Sequence, residues 1–130
     1  IRYLEASEAG PDDLSNADGY LFACPENLAA IAGGMKEFFD RSYYPVLGRI
    51  EGRPYAAIIC AGSDGSSART QLERICTGWR LKRIADTLIV QVDAQTPDDI
   101  LRDKTIAEAP LGDAHEIGAT LAAGLEIGIF

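Results

Sequence analysis

A chain of 130 residues, 47% hydrophobic and 25% charged, has the size and composition of one globular domain, and no apolar run approaches the roughly 20 residues that a helical membrane span needs. Lys and Arg number 12 against 20 Asp and Glu, and the formal net charge of -8 opposes phosphate backbones and anionic lipid, so neither nucleic acid nor a membrane is an expected partner. Cys24, Cys60 and Cys76 form an odd set without paired spacing and His115 is alone, so neither a disulfide framework nor a metal site is expected, and a reducing cytoplasm fits best.

Along the chain, Ile1, Tyr3 and Leu4 read as a short strand. Glu8 to Asn16 is a polar stretch with a brief helical turn near Asp12 to Ser15. Gly19 to Cys24 is the next strand, and it stops at a Pro-Glu-Asn loop. From Leu28 the apolar residues Leu28, Ile31, Met35, Phe38 and Phe39 recur at helical intervals, with Lys36, Glu37 and Asp40 on the other face. Gly33 and Gly34 inside that helix cost about 1 kcal/mol each against Ala, which predicts close helix packing or a subunit contact.

Ser42 to Pro54, with Pro45, Gly48, Gly52 and Pro54, reads as a connecting loop, and its Tyr43 and Tyr44 either wall a ligand or partner or fold against the core. Tyr55 to Ala61 is a nearly continuous apolar run, as in a strand covered on both faces. Gly62 to Ser67 then feeds a helix with Leu72, Ile75, Cys76 and Trp79 on one face, ending near Gly78. Leu88 to Val92 is a strand, Thr96 to Asp99 has a helix-cap pattern, and Pro110 suits the first turn of a last helix. Leu111, Ala114, Gly118, Leu121 and Leu125 line one side of that helix.

Strands alternating with helices require right-handed crossovers: a doubly wound parallel sheet with helices on both faces, a three-layer α/β/α arrangement. Domains of this kind usually begin with a central strand, a loop and a helix that have no counterpart here, so residues 1–130 are expected to be a single domain lacking those elements. Ligands of such sheets sit outside the carboxyl ends of the strands, which points to the loop from Pro25 to Ala29.

The run Ala23-Cys24-Pro25-Glu26-Asn27, followed by Gly33-Gly34-Met35-Lys36-Glu37-Phe38-Phe39-Asp40-Arg41, resembles the second flavin-binding loop and following helix of the flavodoxin-like NAD(P)H-dependent FMN reductases and quinone oxidoreductases. Leu28 and Ala29 stand where that family commonly has an aromatic residue and Gly. Ile58-Ile59-Cys60-Ala61-Gly62-Ser63-Asp64-Gly65 is similar to the third flavin-facing loop, and the likeness extends over most of the chain. The resemblance implies a flavodoxin-like fold and bound FMN, with NAD(P)H as hydride donor and a quinone or flavin as small-molecule acceptor. It also implies a homodimer or homotetramer. The FMN ring would lie against Pro25, Glu26, Asn27, Leu28 and Ala29 on one side and Ala61, Gly62, Ser63, Asp64 and Gly65 on the other.

A flavin accepts the hydride itself, so the protein must hold the ring and set its electronics by hydrogen bonding, and no catalytic side chain is required. Gly62 and Gly65 are expected to permit close backbone approach and positive φ. The phosphate loop would belong to the absent first strand. Gly62 to Thr70, with Ser63, Ser66, Ser67 and Arg69, is a weaker phosphate cradle because the Asp64 carboxylate repels a dianion. Cys24 and Cys60 are expected to pack rather than form a redox pair, and His115 to lie toward solvent. The competing reading is a flavodoxin-type electron carrier with no turnover of its own, whose acidic charge suits basic redox partners.

Overall fold

The computed structural model describes residues 1–130, and no helix in it is long and apolar enough to cross a membrane. The elements in chain order are α1 (Pro11–Asn16), β1 (Tyr20–Asn27), β2 (Ala30–Ile31), α2 (Gly33–Val46), β3 (Pro54–Ala61), α3 (Ser66–Gly78), β4 (Lys82–Arg83), β5 (Leu88–Gln91), α4 (Pro97–Leu101) and α5 (Glu108–Ile127). The sheet is central on β3. Its two long neighbours, β1 and β5, both run parallel to it, in registers Cys24↔Ile59 and Cys60↔Val90. The short β4 pairs with the start of β3, and β2 turns back antiparallel along the end of β1.

The sequence dictates how each strand is covered. Tyr20, Phe22 and Cys24 alternate with Leu21, Ala23 and Pro25 along β1, and the first set is buried while the second is exposed. Against that buried face α1, α2 and α3 contribute Leu14, Met35, Phe38, Phe39, Val46, Leu72 and Cys76 to one apolar core. The aromatic stack in it runs from Phe22 through Phe39 to Trp79, with ring centroids 5.4 Å and 5.5 Å apart. No α5 residue joins this core, yet α5 packs on β3 and β5, so it covers the other face and the layers are α/β/α. There Gly124 lets the Phe130 ring lie against the helix: a Cβ would sit 2.1 Å from that ring and displace it.

Several boundaries differ from the sequence reading. Ile1 to Leu4 is not a strand, having no neighbour to pair with. Leu28 and Ile31 precede α2 instead of lining it, and the helix extends through Ser42 to Val46, taking in Tyr43 and Tyr44. Pro45 lies inside the last turn, where it forfeits the one helical bond its N–H would have made to the Arg41 carbonyl. Leu111 is exposed rather than part of the inward side of α5. Gly33 and Gly34 touch nothing that a Cβ would displace, so close packing within the chain does not explain them. By contrast Thr96 caps α4 as its sequence suggests, its side chain accepting from the Asp99 amide at 3.2 Å.

Candidate functional site

The Pro-Glu-Asn segment is not a free loop. Pro25, Glu26 and Asn27 continue β1, and Leu28 and Ala29 form the tight turn into β2 through the pairs Glu26↔Ile31 and Asn27↔Ala30. Both turn residues have positive φ, 52° at Leu28 and 62° at Ala29. A two-residue hairpin turn with both residues left-handed is normally made with Asn-Gly or Asp-Gly, and side chains there cost of order 1 kcal/mol each. The turn is held at its base by the Ala32 amide donating to the Pro25 carbonyl at 3.0 Å. It is tied sideways by the Ile31 amide donating to Gln71 Oε1 at 2.8 Å. Sequence reasoning missed Gln71, since a contact across forty positions leaves no local pattern.

The second loop leaves the same end of the neighbouring strand. Pro25 stands beside Cys60 in register, Ala61 ends β3, and Gly62 to Gly65 lead into α3. Gly62 lacks the positive φ expected of it. Its glycine is needed because a Cβ would sit 2.3 Å from the Ala94 carbonyl, where the irregular segment after β5 passes. Gly65 does have positive φ, at 90°, and a Cβ there would also crowd Ile89 at 2.7 Å. Asp64 turns its carboxylate onto the start of α3, accepting from the Ser66 amide at 3.2 Å and the Ser66 hydroxyl at 2.9 Å.

The backbone donors at these two loops are unused. The amides of Leu28, Ala29, Ser63, Asp64 and Gly65 donate to no acceptor in the chain. The other candidates fall away from this end. Tyr43 stacks on Trp79 at 5.6 Å and 16°, and both residues lie where α2 and α3 return to the amino ends of the strands, so Tyr43 and Tyr44 cannot wall a ligand at the carboxyl ends. Cys24 and Cys60 are on adjacent strands but one register step apart, hence on opposite faces, and both thiols are free. Burial pushes the Cys24 thiol up, away from a reactive thiolate, with the Ala32 amide offsetting part of it. His115 is exposed.

Two cavities flank the loops. One, of about 360 Å³, lies beyond the end of β5 against the start of α5. Its cations are already engaged, Arg102 by Asp99 and Lys104 by the Ile100 carbonyl. The other is a groove of about 560 Å³ between α2 and α3.

A parallel sheet wound on both faces, with ligand-sized loops at its carboxyl end, defines an α/β protein of the flavodoxin-like class. The sequence profile of the NADPH-dependent FMN reductases matches residues 8–95, and the chain belongs to that family. Among solved structures it is similar to an apo-form NADH:FMN oxidoreductase, with 16% identity and a TM-score of 0.59 over 85% of this chain and 55% of that one. It is also similar to an NADPH-quinone reductase from P. pentosaceus, with 13% identity and a TM-score of 0.48 over 68% of this chain and 63% of that one. The likeness to the first of these establishes the fold alone, and the chain spans less than two thirds of either neighbour. No curated protein matches it.

Proposed function

We propose that these residues form the ring-facing half of an FMN site in an oxidoreductase that passes a hydride from NAD(P)H to a quinone or flavin acceptor. The observation that carries the reading is the set of unpaired amides at Leu28, Ala29, Ser63, Asp64 and Gly65, on two loops that leave adjacent parallel strands at the same end. Bound FMN supplies the hydride chemistry through its ring, so what is asked of the protein is fixed donors at the ring edge. Amides on tied-down loops meet that demand without reorganising: the Gln71 and Pro25 contacts hold the hairpin, and the Asp64 cap on Ser66 holds the other loop. The strained Leu28–Ala29 turn supports the assignment, because such backbone persists where its surroundings hold it and clusters at ligand sites. In this reading Pro25 to Ala29 form one wall and Ala61 to Gly65 the other, and no side chain acts as acid or base.

The far edge of β1 supports a second element of the proposal. From Tyr20 to Cys24 that edge pairs with no strand, and Leu21 and Ala23 beside it are exposed. A strand outside these 130 residues would complete the sheet there and bring the phosphate-holding loop with it. We extend the reading to a homodimer or homotetramer, supported by the exposed Leu111, Ile127 and Ile129, and to a reducing cytoplasm, supported by three free cysteines. The test is to add FMN to the purified full-length protein and follow NAD(P)H oxidation with benzoquinone. Bound-flavin absorption with rapid turnover is expected. Flavin that binds but is reduced only in single-electron steps, without NAD(P)H turnover, would favour the electron carrier, and absence of bound flavin would overturn the site.

A further inference from the structure

Both carboxyl-end loops are referenced to one helix. Gly62 to Gly65 run directly into α3, whose first residue Ser66 is clasped by Asp64, and Ala68, Leu72 and Cys76 fix that helix in the core. Gln71 stands five residues after Ser66, about 7.5 Å along the axis at 1.5 Å per residue, and its Oε1 accepts from the Ile31 amide at 2.8 Å. No other side chain hydrogen-bonds the hairpin, and the Ala32–Pro25 bond lies within it.

Ile31 is anchored twice, and the two anchors act differently. Its side chain is buried in the core, which fixes where the hairpin sits but not how it is turned, because apolar contact is non-directional. The Gln71 bond is directional and so sets the rotation about that anchor. Since β2 is only Ala30–Ile31, a rotation there passes straight to Leu28 and Ala29, whose left-handed backbone persists only where its surroundings hold it. We infer that Gln71 is the positioning residue of this site: from α3 it fixes the direction of the Leu28 and Ala29 amides relative to those of Ser63, Asp64 and Gly65, and flavin affinity depends on that alignment. Its NH2 group donates to nothing in the chain, so the acceptor oxygen alone is needed. This role rests on the flavin reading of the two loops.

The test compares, in the full-length protein, Gln71→Leu, which removes the acceptor at similar volume, with Gln71→Glu, which keeps it. FMN titration followed by flavin fluorescence is expected to show affinity about tenfold weaker for Gln71→Leu and within about threefold of the parent for Gln71→Glu. At saturating FMN the visible flavin bands, which report hydrogen bonding at the ring, should move in Gln71→Leu and return in Gln71→Glu. Without flavin, the ¹⁵N amide resonances of Leu28 and Ala29 should move in Gln71→Leu, with those around Trp79 unchanged. Equal FMN affinity in the parent and Gln71→Leu would overturn the role, and so would an equal loss in both variants, which is what a general packing defect predicts. If Gln71→Leu does not fold, Gln71→Asn, one methylene short of the Ile31 amide, is read in the same way. A parent that takes up no FMN sinks the flavin reading, and the flavin-free spectra then decide Gln71 alone: unmoved Leu28 and Ala29 resonances would overturn it.

Discussion

At the amino ends of the strands the Trp79 indole donates to the Tyr43 carbonyl at 3.0 Å, and Arg53 Nη1 bonds the carbonyls of Leu14, Ser15 and Ala17 within 2.9 Å. At the carboxyl ends the amides of Leu28, Ala29, Ser63, Asp64 and Gly65 have no partner in the chain, and three side-chain-bearing residues, Leu28, Ala29 and Asp93, sit at positive φ against one, Arg80, at the amino ends. The amino end is closely packed, though Ser42 Oγ is buried there without a partner, and the carboxyl end carries more left-handed backbone and the cluster of unused loop amides. Under the proposed reading, stability and binding are divided between opposite ends of one sheet. Rigidity at the packed end is what allows the strained end to keep its shape.

The division breaks most visibly at Trp79, whose side chain is fully buried among Phe39 and Tyr43. Trp79→Ala is expected to lose about 3 to 5 kcal/mol of stability in urea melts, and a loss under about 1 kcal/mol would show that the packed end does not carry the fold.

Alkaline pH probes the same end. Burial is the main cause of a Tyr55 hydroxyl pushed up to about 12, and it also raises the Cys76 thiol beside it. An unfolded tyrosine releases its proton near pH 10, so between pH 10 and about 12 the unfolded chain holds fewer protons than the native one and stability falls as pH rises. Unfolding midpoints across that window should fall for the parent protein and fall less for Tyr55→Phe. A parallel decline in both would remove Tyr55 from the account.

The smallest effect is of opposite sign. Ala29→Gly relieves the left-handed strain at the hairpin and is expected to raise stability by about 0.5 to 1 kcal/mol, since glycine accepts that φ without steric cost. Destabilisation by the same substitution would mean that the turn is not strained.

The packed end was the legible one. Tyr55 to Ala61 reads as a buried strand because its apolar run is continuous, and α3 because Leu72, Ile75, Cys76 and Trp79 keep helical spacing. The carboxyl end was legible in position and not in form. Pro25 signals a loop by composition, yet it extends β1 with its nitrogen turned toward Ala32 and away from β3, so it breaks no bond between those two strands, and Asn27-Leu28-Ala29-Ala30 carries none of the usual hairpin glycine. Gly62 and Gly65 suggested ligand approach, whereas part of their requirement comes from Ala94 and Ile89 packed against them. Ser42 to Pro54 reads as a loop because Pro45, Gly48, Gly52 and Pro54 all break regular structure, and here α2 runs on through Pro45 to Val46.

In the proposed site the unpaired amides of the two carboxyl-end loops hold a flavin ring. Amide chemical-shift mapping of the ¹⁵N-labelled full-length protein on addition of FMN tests it most directly. The largest shifts are expected on Leu28, Ala29, Ser63, Asp64 and Gly65, with the aromatic core around Trp79 unmoved. Largest shifts in the cavity at Val92, Asp93 and Lys104, or a spectrum that FMN leaves unchanged, would contradict it.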